Sequence, residues 1–217
     1  MARAKLAVLI SGRGSNLQSL IDAATAPNYP AEIALVISNK PKVEGLERAA
    51  MANIPLLVID HKDFQTREDF DAALDHALRA TKVDYICLAG FMRMLTPKFV
   101  NDWRGRLVNI HPSLLPAFKG LNVHERMIDG GVKIAGCTVH FVTSEMDAGP
   151  IIGQAAVPVL PGDTADKLAA RILEVEHKLY PACIKLIAET KARLSGGVVP
   201  FDSSVVAKGA LLNPPGE

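Results

Sequence analysis

The arrangement of apolar residues along the first two-thirds of the chain most strongly limits the fold. Short, almost wholly apolar runs alternate with stretches in which apolar residues recur every three or four positions. The runs span residues 6–10, 33–37, 56–59, 85–88 and 107–110. Continuous apolar strands separated by amphipathic helices are typical of βαβ units, in which helices cover both faces of a parallel sheet. The sequence therefore predicts an α/β domain with a doubly wound, mostly parallel sheet.

The pattern changes in the last third of the chain. Two strand-like stretches follow each other with only a short segment between them, which predicts an antiparallel addition to the sheet. They span residues 134–142 and 151–160. A long helix is predicted from about Thr164, and Pro181 is expected to kink it. Residues 195–217 are rich in Gly, Pro and Ser, which predicts a peripheral tail after a single domain of residues 1–194.

Composition argues against several classes of protein. The 217 residues include 24 Lys and Arg and 23 Asp and Glu, so the formal net charge is +1. Nucleic-acid-binding domains are usually strongly basic, and we therefore expect no nucleic-acid partner. No apolar run approaches the roughly 20 residues of a membrane span, and residues 1–11 lack the cleavage site of a secretory signal. Cys87, Cys137 and Cys183 match no zinc or redox spacing, so we expect buried thiols, no metal and a cytoplasmic protein.

A glycine-rich loop, Ser11-Gly12-Arg13-Gly14-Ser15-Asn16, lies between the first strand and the first helix. A helix N-terminus in this position presents free N–H groups to an anion, and glycines let the backbone approach it. The Lys-Ser/Thr pair of a Walker A loop is missing, and Leu17 replaces the third glycine of a dinucleotide loop. Asn39-Lys40 also replaces the acid that NAD binding requires, although Lys40 leaves NADP open. We expect a compact site for one terminal phosphate, with a tight turn that binds nothing as the alternative.

Two polar side chains, Asn109 and His111, stand at the carboxyl end of the fifth predicted strand. Because they are two residues apart on a strand, they share one face at the edge where open α/β sheets bind ligands. An acidic loop at 144–150, which contains Asp147, follows a later strand. Such a trio suits acyl transfer to an amine: the amide stabilises an oxyanion, the imidazole moves a proton, and the carboxylate favours the imidazolium ion. A buried histidine paired with a neighbour is the alternative.

The motif Asn109-Ile110-His111-Pro112-Ser113-Leu114-Leu115-Pro116, with the later Asp147-Ala148-Gly149-Pro150, resembles the folate-dependent formyltransferases. The resemblance covers about residues 5–190. The glycine loop, Asn39-Lys40 and residues 88–95 narrow it to the members of this family that act in purine biosynthesis. It implies a Rossmann-like formyltransferase fold. It also implies that 10-formyltetrahydrofolate gives its formyl group to the amine of glycinamide ribonucleotide in purine biosynthesis. Asn109, His111 and Asp147 match the catalytic trio of this family.

The same resemblance implies two ligand sites. The residues implied for the ribonucleotide are Gly12, Arg13, Gly14, Ser15, Asn16 and Glu176. The residues implied for the folate are Arg67, Met92, Arg93, Met94, Leu95 and Asn109. Without the resemblance, the methionine-rich run would be ordinary core, Arg67 a solvated charge and Glu176 a surface acid. Family members often carry Gly-Leu-His-x-His where this chain has Gly120-Leu121-Asn122-Val123-His124, so the contribution of Asn122 is left open.

Three other functions stay open at this point. A deformylase of the same superfamily would give the formyl group to water, but such enzymes usually carry an additional N-terminal domain, and none precedes Lys5. A transfer-RNA formyltransferase would need a C-terminal nucleic-acid domain and a basic surface. A non-catalytic nucleotide-binding module would use the glycine loop but would leave the trio without a purpose. We expect only small-molecule partners and a monomer or homodimer.

Overall fold

A computed structural model describes residues 2–201 and 211–213, so part of the predicted tail lies outside the described residues. The strands are β1 (Ala4–Ile10), β2 (Ala31–Ser38), β3 (Leu56–Val58), β4 (Tyr85–Leu88), β5 (Leu107–His111), β6 (Ile134–Phe141) and β7 (Ile151–Pro158). The α-helices are α1 (Ser15–Ala24), α2 (Glu44–Met51), α3 (Arg67–Thr81), α4 (Pro97–Asp102), α5 (Val123–Asp129) and α6 (Ala165–Ala188). A single 3₁₀ turn covers His61–Asp63.

The seven strands form one sheet in the order β3-β2-β1-β4-β5-β6-β7. The pairs from β3 to β5 are parallel, whereas β6 is antiparallel to β5 and β7 is antiparallel to β6. The predicted doubly wound sheet with an antiparallel addition is therefore confirmed. The chain extends from β1 first towards β3 and later towards β7, which makes the boundary between β1 and β4 a topological switch point, where such folds bind ligands.

Helices cover both faces of the sheet, as the continuous apolar strands require. On one face, α1, α2 and α6 bury apolar side chains that include Leu17, Leu20, Ala49, Tyr180 and Ile184. On the other face, α3 and α4 bury side chains that include Phe70, Leu74, Leu78, Phe99 and Trp103. The three cysteines are free and buried, and burial raises the pKa of each thiol to about 12. The expected buried thiols are thus what the structure contains.

Threonine hydroxyls fix where the two longest helices begin. Thr66 accepts a hydrogen bond from the Asp69 N–H at the start of α3, which satisfies one of the free N–H groups of its first turn. Thr164 accepts from the Lys167 N–H at the start of α6. Helix α6 then continues through Pro181 as one element of 24 residues. Within the described ranges, no helix combines the length and the apolar character that crossing a membrane requires.

Candidate active site

The carboxyl end of β5 brings His111 close to Asp147. The Nδ1 atom of His111 lies 3.5 Å from Oδ2 of Asp147, although the two residues are 36 positions apart in the chain. The His111 side chain is 8% exposed and the Asp147 side chain 13% exposed, so water screens the pair weakly. The Nε2 atom of His111 lies 3.0 Å from the carbonyl oxygen of Phe118. Because a carbonyl can only accept, Nε2 carries a proton and donates this bond.

Backbone conformation holds Asp147 in place. Its φ angle is +48°, in the left-handed region that residues other than glycine rarely adopt. Its Oδ2 atom accepts a hydrogen bond of 2.9 Å from the Gly120 N–H. A Cβ atom at Gly149, two residues later, would lie 1.7 Å from the Phe141 carbonyl oxygen, so only glycine fits there. The loop at 144–150 is therefore pressed against the end of β6, with its carboxylate directed at His111.

Asn109 is bound by a second histidine. In the antiparallel pairing of β5 with β6, Asn109 stands opposite His140, and Asn109 Nδ2 lies 3.2 Å from His140 Nε2. The other ring nitrogen of His140 donates to the Phe141 carbonyl at 3.0 Å, which leaves Nε2 as the acceptor. Burial lowers the pKa of His140, so its ring is neutral at pH 7. The Asn109 amide group is thereby oriented, with one N–H used by His140 and the second free.

A cavity of about 130 Å³ with a mixed apolar and polar lining adjoins this cluster. The predicted site residues that line it are Arg93, Met94, Leu95, Asn109 and Asp147. Two other residues predicted for the folate do not line it: the Met92 side chain is 69% exposed, and Arg67 lies exposed at the first position of α3. A larger cavity of about 540 Å³ lies between α3 and α4, but none of the predicted site residues lines it. The smaller cavity is the one that belongs to the site, because Asn109 and Asp147 both line it.

The glycine loop rests on the start of α2. Gly14, with φ +70°, is the N-cap of α1, and no side chain caps this helix. A Cβ atom at Gly14 would lie 2.7 Å from the Cα atom of Gly45 in α2. Gly45 donates its N–H to the Gly12 carbonyl at 3.1 Å, and Arg48 donates to the Arg13 carbonyl at 2.9 Å. With its carbonyls bound to α2, the loop leaves the N–H groups at the start of α1 for an anion.

Glu176 is buried beside this loop. Its side chain accepts a hydrogen bond of 2.7 Å from Asn16 Nδ2, and the residue is only 6% exposed. Burial raises the pKa of Glu176, while the bond from Asn16 acts in the opposite direction. The buried Oδ1 atom of Asn16 has no hydrogen-bond partner among the described residues. Two adjacent acceptors, one of them a carboxylate, therefore lie beside the glycine loop.

The sequence profile of the formyl transferase family matches residues 4–184. The chain belongs to the formyl transferase family. A phosphoribosylglycinamide formyltransferase from Haemophilus influenzae is 44% identical over 209 residues, which cover 96% of this chain and 99% of the relative. A trifunctional purine biosynthetic protein adenosine-3 from Gallus gallus is 53% identical over 186 residues. This chain covers 18% of that relative, so it spans about a fifth of the length of the trifunctional proteins.

Solved structures of the family share the fold. A glycinamide ribonucleotide transformylase 1 from Symbiobacterium toebii is 47% identical, with a TM-score of 0.89 over 92% of this chain and 94% of that one. A phosphoribosylglycinamide formyltransferase from Anaplasma phagocytophilum is 49% identical, with a TM-score of 0.85 over the same shares. The formyltransferase fold predicted from the motif is therefore confirmed.

Sequence reasoning missed two polar contacts in this formyl transferase. It assigned no function to His140, although the alternation along β6 places His140 and Thr138 on one face, which was a usable signal. It also missed the buried Ser11 hydroxyl, which donates to Asn39 Oδ1 at 2.6 Å and accepts the Met92 N–H at 2.7 Å. Through this bond the backbone of Met92, rather than its side chain, connects the glycine loop to residues 91–95, several of which line the cavity.

Proposed function

We propose that this chain transfers the formyl group of 10-formyltetrahydrofolate to the amine of glycinamide ribonucleotide. The observation that carries the proposal is that Asn109 and Asp147 line one cavity, with His111 3.5 Å from Asp147. Through Ser11, the glycine loop also contacts the chain segment that lines this cavity. The likeness to phosphoribosylglycinamide formyltransferases over nearly the whole chain supports the same reaction.

The reaction requires no covalent enzyme intermediate, because the substrate amine is itself the nucleophile. Its nitrogen attacks the formyl carbon, and the tetrahedral intermediate carries negative charge on the formyl oxygen. The free N–H of Asn109 and the protonated ring of His111 stabilise that oxygen. The Asp147 carboxylate lies 3.5 Å from Nδ1 of His111, where it stabilises positive charge on the ring in the tetrahedral intermediate. The carbon–N10 bond then breaks, N10 gains a proton, and the attacking nitrogen loses one through His111 or a water molecule.

The two ends of the ribonucleotide call for different groups. Its phosphate suits the N–H groups from Gly12 to Ser15, and the exposed Arg13 side chain adds a positive charge beside them. The ribose hydroxyls can donate to the Glu176 carboxylate and to Oδ1 of Asn16, the buried acceptor without a partner. The pterin ring suits the cavity lined by Arg93, Met94 and Leu95, since such sites combine apolar walls with a few polar groups.

The setting we propose follows the same reasoning. A net charge of +1 supports small-molecule substrates rather than a nucleic acid. Asn109, His111 and Asp147 supply the oxyanion donor, the proton carrier and the charge that the transfer needs, which supports a reaction without a metal. Three buried free thiols support a reducing, cytoplasmic environment. We propose a monomer or a homodimer as the working form.

A spectroscopic assay of the folate product, with and without the ribonucleotide, tests the function. We expect turnover only when the ribonucleotide is present, and a loss on the order of 100-fold or more in Asn109→Ala. The matched control is Asn101→Ala, because Asn101 is an exposed asparagine on α4. Release of formate without the ribonucleotide would favour the deformylase instead, and near-normal turnover of Asn109→Ala would refute the proposed mechanism.

A further inference from the structure

One short loop contacts both members of the His111–Asp147 pair through its backbone. This loop, residues 117–122, offers the Phe118 carbonyl to Nε2 of His111 at 3.0 Å. Two residues later it offers the Gly120 N–H to Oδ2 of Asp147 at 2.9 Å. The Phe118 carbonyl thus accepts a hydrogen bond from the histidine, and the Gly120 N–H donates one to the carboxylate. Both side chains depend on the conformation of this one loop.

The conformation of loop 117–122 is one that its residues do not adopt readily. Phe118 has φ +53° and Asn122 has φ +52°, both in the left-handed region, and Gly120 between them has φ +82°. Asparagine tolerates this region, which gives Asn122 a structural reason to start α5, but a bulky phenylalanine does not. Such a backbone persists only where surrounding contacts hold it.

Arg126 in α5 supplies those contacts. Its Nη1 atom donates to the Lys119 carbonyl at 2.6 Å and lies 3.4 Å from the Leu121 carbonyl. Its guanidinium carbon lies 5.7 Å from the centroid of the Phe118 ring, within the range of a cation–π contact. The Lys119 side chain also pairs with Glu145 at 3.1 Å, which ties the loop to the segment that carries Asp147. Arg126 therefore contacts the loop at Phe118, at Lys119 between the two groups that reach the catalytic pair, and at Leu121 after them.

The distances assign different tasks to the two nitrogens of His111. Nε2 is committed to the Phe118 carbonyl and must keep its proton. Nδ1 lies 3.5 Å from Asp147, which is too long for a strong hydrogen bond, so this nitrogen is not committed in the way that Nε2 is. If loop 117–122 relaxed, either nitrogen could hold the proton of the neutral ring, and part of the population would have the wrong tautomer.

We propose that Arg126 is a positioning residue, which holds loop 117–122 so that the Phe118 carbonyl keeps the proton of His111 on Nε2 and leaves Nδ1 as the nitrogen that exchanges protons. This assignment rests on the proposed function, because it concerns the same site. Arg126 is assigned no contact with either substrate. It acts through the backbone of the loop.

The test compares Arg126→Ala and Arg126→Lys with the whole wild-type chain. Arg79→Ala is the matched control, because Arg79 also lies over an aromatic ring, that of Trp103 at 5.3 Å, on the distant helix α3. We expect Arg126→Ala to lower kcat about tenfold, the effect of losing one hydrogen bond, while KM for the ribonucleotide stays within about twofold. Arg126→Lys keeps the charge and an N–H donor group but not the planar guanidinium, so its kcat should lie between those of the wild type and Arg126→Ala.

A second readout separates positioning from a loss of folded protein. Nitrogen-15 NMR of the neutral His111 ring should show Nε2 protonated in the wild type and in Arg79→Ala, and a mixture of tautomers in Arg126→Ala. Wild-type ring signals in Arg126→Ala, with or without a fall in kcat, would overturn the proposal. If Arg126→Ala does not fold, the same comparison is made with Arg126→Lys. Because the NMR measurement needs no substrate, absence of turnover in the wild type would refute the proposed function without deciding the role of Arg126.

Discussion

The hydrogen bond from Asn109 to His140 leads to a prediction about how the oxyanion donor is oriented. In His140→Leu, a side chain of similar volume replaces the ring but offers no acceptor. The Asn109 amide then loses the partner that fixes it at 3.2 Å, and the Phe141 carbonyl loses the donor at 3.0 Å. Asn109 keeps its chemical group but not its orientation.

The expected magnitude follows from two known effects. A well-placed oxyanion donor contributes about 100- to 1,000-fold to turnover, and a donor that is present but only partly oriented should lose part of this. We therefore expect kcat to fall about 10- to 30-fold in His140→Leu. Because His140 is 2% exposed, leaving its two partners unpaired should also lower the free energy of unfolding by about 1–3 kcal/mol.

The assay is a double-mutant cycle on kcat, with unfolding in urea measured on the same proteins. If His140 acts through Asn109, His140→Leu should change kcat less than about twofold when Asn109 is already alanine. His76→Leu is the control, because His76 is an exposed histidine on α3. A full tenfold loss from His140→Leu in the Asn109→Ala background would refute the reasoning, since the histidine would then act on the reaction by another route.

Three further outcomes follow from the geometry. Asp147→Asn keeps an acceptor for the Gly120 N–H but removes the charge beside His111, so kcat should fall about 100-fold in steady-state assays with little change in thermal stability. Gly12→Ala should melt like the wild type, because nothing lies within 4 Å of its Cβ position, but it should raise KM for the ribonucleotide about tenfold. Gly14→Ala should instead lose about 2 kcal/mol or more of unfolding free energy in urea, because Gly14 has φ +70° and its Cβ position lies 2.7 Å from the Cα atom of Gly45. Burial lowers the pKa of His140, so below about pH 6.5 the unfolded chain holds a proton that the folded protein lacks. Unfolding free energy should therefore fall as the pH drops from 7.5 to 5, and fall less steeply in His140→Leu.

The sheet was predictable because each strand carries its own signal. Every strand of the structure overlaps a strand-like stretch that the sequence marks. The central strands β1, β4 and β5 form continuous apolar runs because they are covered on both faces. Helices α4 and α5 were not predicted, because six and seven residues are too few for a helical period to stand out. Their starts depend instead on local features, such as the hydroxyl of Thr96 and the left-handed Asn122.

The candidate site was only partly predictable, for a physical reason. The period of two on a strand places Asn109 and His111 on one face, so their proximity could be expected from the sequence. Their third partner, Asp147, comes from a distant loop. The groups that orient the pair are backbone atoms: the Phe118 carbonyl contacts His111, and the Gly120 N–H contacts Asp147. A backbone carbonyl or N–H leaves no mark on residue type, so no pattern of side chains could have indicated these contacts.

Helix α6 shows where a readable signal was overlooked. Its residues at intervals of four, Ile172, Glu176, Tyr180 and Ile184, form one stripe that is at most 6% exposed. An acid inside an apolar stripe is costly to bury unless it is bonded or used, so Glu176 could have been separated from surface acids without any resemblance. One turn further, the Tyr180 hydroxyl lies 3.1 Å from the Leu88 carbonyl and 3.3 Å from the Val108 carbonyl, directly before Asn109. The stripe that places Glu176 beside the glycine loop thus also contacts β4 and β5 directly before Asn109, so that one helix contacts both the glycine loop and the strand that carries Asn109.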